Sequence, residues 1–173
     1  FDGVHRGHQL LLQRLAERAR LRGLPAVLVT FDPHPLEVVN PAAAPPLLTL
    51  GDEKSEVLAE SPLDYVVVLR FTPELARYEA ADFVDRVLIQ RLGVRELLVG
   101  YDHGFGRGRS GDAEVLRALG DARGFDVSVV EAVQGSDGRP ISSTTIRRAI
   151  AGGDLLRAAD GLGRPYSISG VVQ

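Results

Sequence analysis

At 173 residues and 18.6 kDa the chain has the length of one ordinary domain, and its 45% hydrophobic and 25% charged composition supplies a core while excluding disordered and collagen-like architectures. Twenty basic against 23 acidic residues leave a net charge of -3, so no global basic field exists to hold a nucleic-acid backbone, and a small-molecule partner is the default expectation. The absence of cysteine removes disulfides, thiolate metal sites and thiol nucleophiles together and fits a reducing cytoplasm, while the longest apolar runs, such as 24–29 and 65–69, fall far short of the roughly 20 residues that cross a bilayer.

Phe1 opens the sequence with neither Met nor a signal peptide, which predicts a segment before it. After His8, Leu11, Leu12, Leu15 and Ala19 recur at helical spacing with charged residues between them, and Gly23 ends that helix. Pro25 to Thr30 reads as a buried parallel strand. Residues 31–46 contain five prolines and are expected to form a loop. The alternation then repeats: a helix over 52–60, a strand over 65–69, and a helix opened by Thr72, Pro73 and Glu74. A further helix over 80–92 stops at Gly93, followed by a strand over 95–99, a glycine-rich loop over 100–111, a helix over 112–122 and a strand over 126–131. This order specifies an α/β fold with a doubly wound, open parallel sheet. Gly161 to Pro165 is the candidate domain boundary, and Tyr166, Ile168 and Val172 suggest a new strand after it.

Ligands in such folds lie at the carboxyl ends of strands, so the loops there carry the chemistry. In the first, Phe1-Asp2-Gly3-Val4-His5-Arg6-Gly7-His8, the two histidines stand three apart at a helix start and share one face, and Gly7 admits a phosphate to the backbone. A metal pair or two capping histidines are the plainer readings, the former weakened by the lack of a nearby carboxylate or cysteine cluster. The second loop is Pro140-Ile141-Ser142-Ser143-Thr144-Thr145-Ile146-Arg147. Ser143 or Thr144 reads as an N-cap there, yet consecutive hydroxyls with Arg147 behind them also suit a phosphate chain. The third combines 100–109 with Thr30-Phe31-Asp32-Pro33-His34-Pro35; such glycines and prolines ordinarily make a mobile turn and a stiff corner, and with Phe105 they also suit the walls of a planar ligand.

His5 to His8 resembles the HxGH signature of the nucleotidylyltransferase superfamily, and Ser142 to Arg147 resembles its SSTxIR signature. Together with Asp32 to Pro35, Gly100 to Gly106 and Leu162-Gly163-Arg164-Pro165-Tyr166, the set is similar over essentially the whole chain to prokaryotic bifunctional riboflavin kinase/FMN adenylyltransferases, the FAD synthetases. The resemblance implies a Rossmann-like nucleotidylyltransferase fold over 1–163 lacking its first strand, with 164–173 as the linker and first strand of a riboflavin kinase domain. His103 stands where an aromatic is common in that family.

The implied reaction converts FMN and ATP to FAD and pyrophosphate. The FMN phosphate, with a second pKa of about 6, is itself the nucleophile, so no serine or cysteine nucleophile is needed. The resemblance assigns catalysis to His5, His8, Ser143, Thr144 and Arg147. It assigns substrate contacts to Phe1, Asp2, Gly3, Gly7, Pro33, His34, Pro35, Gly100, Asp102, Phe105 and Ser142. Magnesium would bridge the ATP phosphates without a protein metal cage. The competing expectations are a nucleotidylyltransferase with another acceptor and a nucleotide-sensing module without turnover.

Overall fold

Leu12, Ala16 and Ala19 form the buried stripe of helix α1, Arg6–Arg22, which Gly23 closes in a left-handed conformation at φ 63°. The computed structural model describes residues 1–101, 106–109 and 111–168. In chain order, α1 is followed by β1 (Val27–Asp32), α2 (Pro35–Val39), α3 (Gly51–Ala59), β2 (Tyr65–Arg70), α4 (Ala80–Phe83), β3 (Glu96–Gly100), α5 (Ala113–Arg123), β4 (Asp126–Val130), α6 (Ser143–Ala151) and α7 (Leu155–Leu162). Among the described residues β1 pairs with β2 and β3 with β4. The second pair is parallel, with Glu96 opposite Asp126 and Gly100 opposite Val130. At the ends of the first pair, Ala26 O accepts from Tyr65 N and Asp32 O from Phe71 N, so it too runs parallel. The α/β class with parallel strands is the one the alternation of elements predicts.

The chain divides into two compact units. The first comprises residues 1–28, 46–66 and the segment from Ala132 onward. Val4, Leu12, Leu28 and Leu58 form one of its cores, and Leu48, Ile141, Ile146, Ala149, Ala158 and Leu162 another. Helices α6 and α7 approach so closely that a Cβ on Gly161 would lie 2.8 Å from Ile146 Cγ1, so the residue has no room for a side chain. The second unit, Val29–Pro45 with Val67–Glu131, packs Phe83, Val84, Val87, Leu88, Val99, Leu116 and Phe125 together.

Several local expectations change. The proline-rich stretch contains the short helix α2, because Pro35 occupies a first-turn position where its missing N–H costs nothing and His34 Nδ1 accepts from Leu36 N at 3.2 Å. The helix expected after Thr72 is a single 3-10 turn, Leu75–Arg77, with Thr72 Oγ1 capping Leu75 N. The helix expected over 80–92 is α4 continued by a π-helical turn, Val84–Ile89, whose Val84, Val87 and Leu88 are nonetheless buried. Residues 164–168 form no strand, and 169–173 lie outside the described residues.

Leu116, fully buried at the centre of the second unit, sets a direct test. Leu116→Ala should lower unfolding free energy by about 2–5 kcal/mol, the cost of lost burial plus a cavity, read from urea denaturation.

Candidate functional site

Asp2 is 7% exposed, and a carboxylate so buried requires partners. Leu48 N donates to its Oδ1 at 2.9 Å and Thr49 N to the same oxygen at 3.3 Å, while Oδ2 takes the Nη2 of Arg147. The main chain alongside is tied as well: Gly3 N donates to Thr49 Oγ1 at 3.2 Å, and Ser143 Oγ donates to Asp2 O at 2.9 Å. Arg147 Nε completes the join at Pro46 O, 2.8 Å away. Three stretches far apart in sequence, 1–5, 46–49 and 142–147, thus meet at one carboxylate.

The turn between Asp2 and α1 is unusual. Gly3 has φ +78° and Val4 φ +41°, two successive residues in the left-handed region. Gly3 has no alternative, since a Cβ there would sit 2.7 Å from Leu48 Cδ1. Val4 is β-branched, and holding it there costs on the order of 1–3 kcal/mol. Its side chain, 1% exposed, is locked in the core beside Leu12.

His5 follows in extended conformation as the N-cap of α1, with its Nδ1 accepting from His8 N at 3.4 Å. That bond places the proton of a neutral His5 on Nε2. The two imidazoles stack with centroids 3.7 Å apart, and Phe1 packs on the other ring at 4.3 Å. Gly7 makes this possible: a Cβ there would come within 3.1 Å of the His5 ring. Burial, above all, and the adjacent His5 hold the His8 pKa well below 6.5, so His8 is neutral at pH 7. Its Nδ1 is sealed from solvent without a hydrogen-bond partner.

Helix α6 supplies the second half. Its N-cap is Ser142, whose Oγ accepts from Thr145 N at 3.2 Å while Thr145 Oγ1 accepts from Ser142 N at 3.1 Å. Ser143 and Thr144, expected as caps, instead occupy the first two helical positions, where backbone N–H groups have no intrahelical acceptor. Neither α1 nor α6 carries an acidic residue in its first turn, whereas α3 has Asp52 and Glu53 and α5 has Glu114. Two uncompensated positive helix ends therefore converge beside neutral imidazole and hydroxyl groups, an arrangement suited to a polyanion.

Of the residues singled out by sequence, Phe1, Asp2, Gly3, His5, Gly7, His8, Ser142, Ser143, Thr144 and Arg147 belong to this first unit. Arg147, expected on phosphate, spends Nη2 and Nε on Asp2 and Pro46. Asp2, expected to touch ligand, is the anchor of the site. Pro33, His34, Pro35 and Gly100 belong to the second unit, where Pro33 follows a cis peptide and Gly100 ends β3 opposite Val130. Asp102 and Phe105 lie outside the described residues. Leu48 and Thr49 were not legible as site residues, because they contribute a pair of backbone amides to Asp2 and a hydroxyl that accepts from Gly3 N, all from a stretch without a motif.

An FAD synthetase family model matches residues 1–145. Bifunctional riboflavin kinase/FMN adenylyltransferases of Pseudomonas fluorescens and Escherichia coli K12 are 44% and 43% identical to the chain over 172 residues, 99% of its length and 55% of theirs. The Listeria monocytogenes protein of that name is 36% identical over 173 residues. The chain therefore spans about half the length of the curated relatives it matches. A solved structure from Streptococcus pneumoniae, named a macrolide-efflux protein, superposes with a TM-score of 0.82 at 29% identity, covering 96% of this chain and 55% of that one.

Two predictions follow from Asp2 and His8. Asp2→Asn leaves Arg147, 17% exposed, without its counter-charge and should cost about 3 kcal/mol in urea unfolding. Below its ordinary pKa of 6.5, His8 stays neutral in the folded chain but takes up a proton in the unfolded one, so stability falls as pH drops from 6.5 toward the depressed value. The loss in urea midpoint between about pH 7.5 and about pH 5.5 should accordingly be smaller in His8→Gln than in the unsubstituted protein.

Proposed function

The chain belongs to the FAD synthetase family, and from that membership together with the donor geometry we propose that it transfers the AMP group of ATP to FMN, giving FAD and pyrophosphate. The observation that carries the proposal is the hydrogen bond of Ser143 Oγ to Asp2 O, which joins the start of α6 to the turn before α1 and so makes one anion site from two helix ends.

An FMN phosphate oxygen attacks the α-phosphorus of ATP, the bond from that phosphorus to the bridging oxygen of the β-phosphate breaks, and pyrophosphate leaves with the electron pair. Catalysis then consists of alignment and of neutralising charge on the leaving group. His8, neutral and stacked between Phe1 and His5, gives an N–H at Nε2 to a phosphate oxygen without a cation having to be desolvated first. His5, fixed as N-cap, stands beside it as the second imidazole of the site. Ser143 and Thr144 offer main-chain N–H groups, and Thr144 its hydroxyl, to the departing phosphates. Arg147 contributes positive potential from its place on Asp2 and holds α6 against the turn. Ser142 fixes the helix start, and Gly7 keeps the imidazole stack and the approach to the backbone open.

Magnesium enters with ATP as part of the substrate, screening the phosphate oxygens. Asp2, whose oxygens are taken by amides and a guanidinium, is not free to hold it. Pro33, His34, Pro35, Gly100, Asp102 and Phe105 are proposed as the flavin contacts, a reading that rests on the family likeness. We place the protein in the cytoplasm, which the cysteine-free composition supports; among the described residues no helix is long and apolar enough to cross a membrane. The region from Arg164 onward is read as leading into a riboflavin kinase domain, by the names of the relatives.

Incubation with FMN, ATP and magnesium, followed by chromatography and a pyrophosphate assay, should show FAD and pyrophosphate in equal amounts. Binding of ATP without pyrophosphate release would identify a nucleotide-sensing module, and turnover only with another acceptor a different transferase. His8→Ala should lower kcat by about 100- to 1,000-fold, the scale of one lost oxyanion donor, with the Kd for FMN unchanged. Equal losses in both would indicate collapse of the loop.

A further inference from the structure

Arg164 stands beyond residue 145, where the family match ends, and just after α7. It nonetheless reaches back to the turn that launches α1. Its Nη2 donates to Gly3 O at 2.8 Å and its Nη1 to Val4 O at 3.3 Å. Gln9 reinforces the same place, with Nε2 3.1 Å from Val4 O and 3.1 Å from Leu162 O. Arg6 Nη1 meets Asp160 Oδ1 at 2.8 Å, so the start of α1 and the end of α7 are stitched together by three side chains.

The two carbonyls that Arg164 grips belong to the two residues held at positive φ. A β-branched residue stays in that region only where its surroundings over-determine it. The planar guanidinium is suited to the task, since its fork can meet two successive carbonyl oxygens at once, whereas a lysine ammonium acts as a point charge. What the turn fixes is the approach of His5 to its capping position, and with it the stack of His5 on His8.

We propose that Arg164 is a positioning residue for adenylyl transfer: its two-pronged grip on the carbonyls of Gly3 and Val4 holds the strained turn, and through it the His5–His8 pair, in the working geometry. The proposal rests on the transferase reading above and deepens it. It also makes the segment after α7 part of the transferase machinery, so the chain that follows Arg164 begins at a contact with the nucleotide loop.

The test uses the full chain with Arg164→Ala, Arg164→Lys and, as a control, Arg157→Ala, whose guanidinium pairs with Asp137. Arg164→Ala should lower kcat by about 30- to 100-fold, the scale of a small misplacement of reacting groups, with KM for FMN within about twofold. Arg164→Lys should fall between the alanine variant and the unsubstituted protein, millimolar guanidinium should restore part of the alanine variant's kcat, and Arg157→Ala should stay within about twofold. Amide hydrogen exchange reads the same grip without turnover: in Arg164→Ala the amides of Val4, His5 and His8 should exchange about tenfold faster while those of α5 are unchanged. Should Arg164→Ala fail to fold, Arg164→Lys must show the same localised acceleration at smaller amplitude. Unchanged kcat with unchanged exchange would overturn the proposal, as would acceleration spread evenly over the chain, or a lysine variant as impaired as alanine with no rescue by guanidinium. Absence of FAD from the unsubstituted protein would strike the transferase reading itself, while localised exchange would still establish the grip.

Discussion

A single buried carboxylate organises the site. Asp2 accepts from the backbone of Leu48 and Thr49 and from the guanidinium of Arg147, and its own carbonyl accepts from Ser143. Burying a charge is costly unless every lone pair is answered, so each of these donors is constrained by the requirement of the others. The turn into α1 and the start of α6 cannot separate without leaving Asp2 or Arg147 unpaired. The convergence of two positive helix ends, which would repel each other if brought together bare, is thereby fixed before any ligand arrives.

That preorganisation explains the local departures from ordinary backbone and protonation. Val4 sits in a conformation its side chain disfavours, but its burial with Leu12 and the ties on either side leave no alternative. His8 is kept neutral by burial between Phe1 and His5, so it can act as an N–H donor without first shedding the water shell of an imidazolium. Both features cost stability at the candidate site, and the cores around Leu12 and Ile146 offset that cost.

Much of this was legible in the sequence because it depends on local signals. The periodicity of Leu11, Leu12, Leu15 and Ala19, the apolar run ending at Thr30, and Gly23 after the first helix announce their elements. The HxGH and SSTTIR segments announce the chemistry. What the sequence withheld is what depends on distant partners. Arg147 looks like a phosphate ligand in any local reading, and only the fold puts it on Asp2, 145 positions away. Thr49 belongs to no motif, and Arg164, though part of the family-like 162–166 segment, was given no role at the site, because the partners of both are main-chain atoms that residue identity does not reveal. Pro35 was read as breaking structure when it starts α2, since a proline's effect depends on whether it falls inside a helix or at its first turn.

The central claim is that the helix starts at Arg6 and Ser143 form one phosphate site. The most direct measurement is a crystal structure with FMN and an α,β-methylene analogue of ATP, which cannot complete the transfer. The account predicts the triphosphate lying between His8 Nε2 and the main-chain N–H groups of Ser143 and Thr144, with Asp2 still paired to Arg147. A triphosphate bound away from either helix start, or one that draws Arg147 off Asp2 and lets the two segments part, would contradict it.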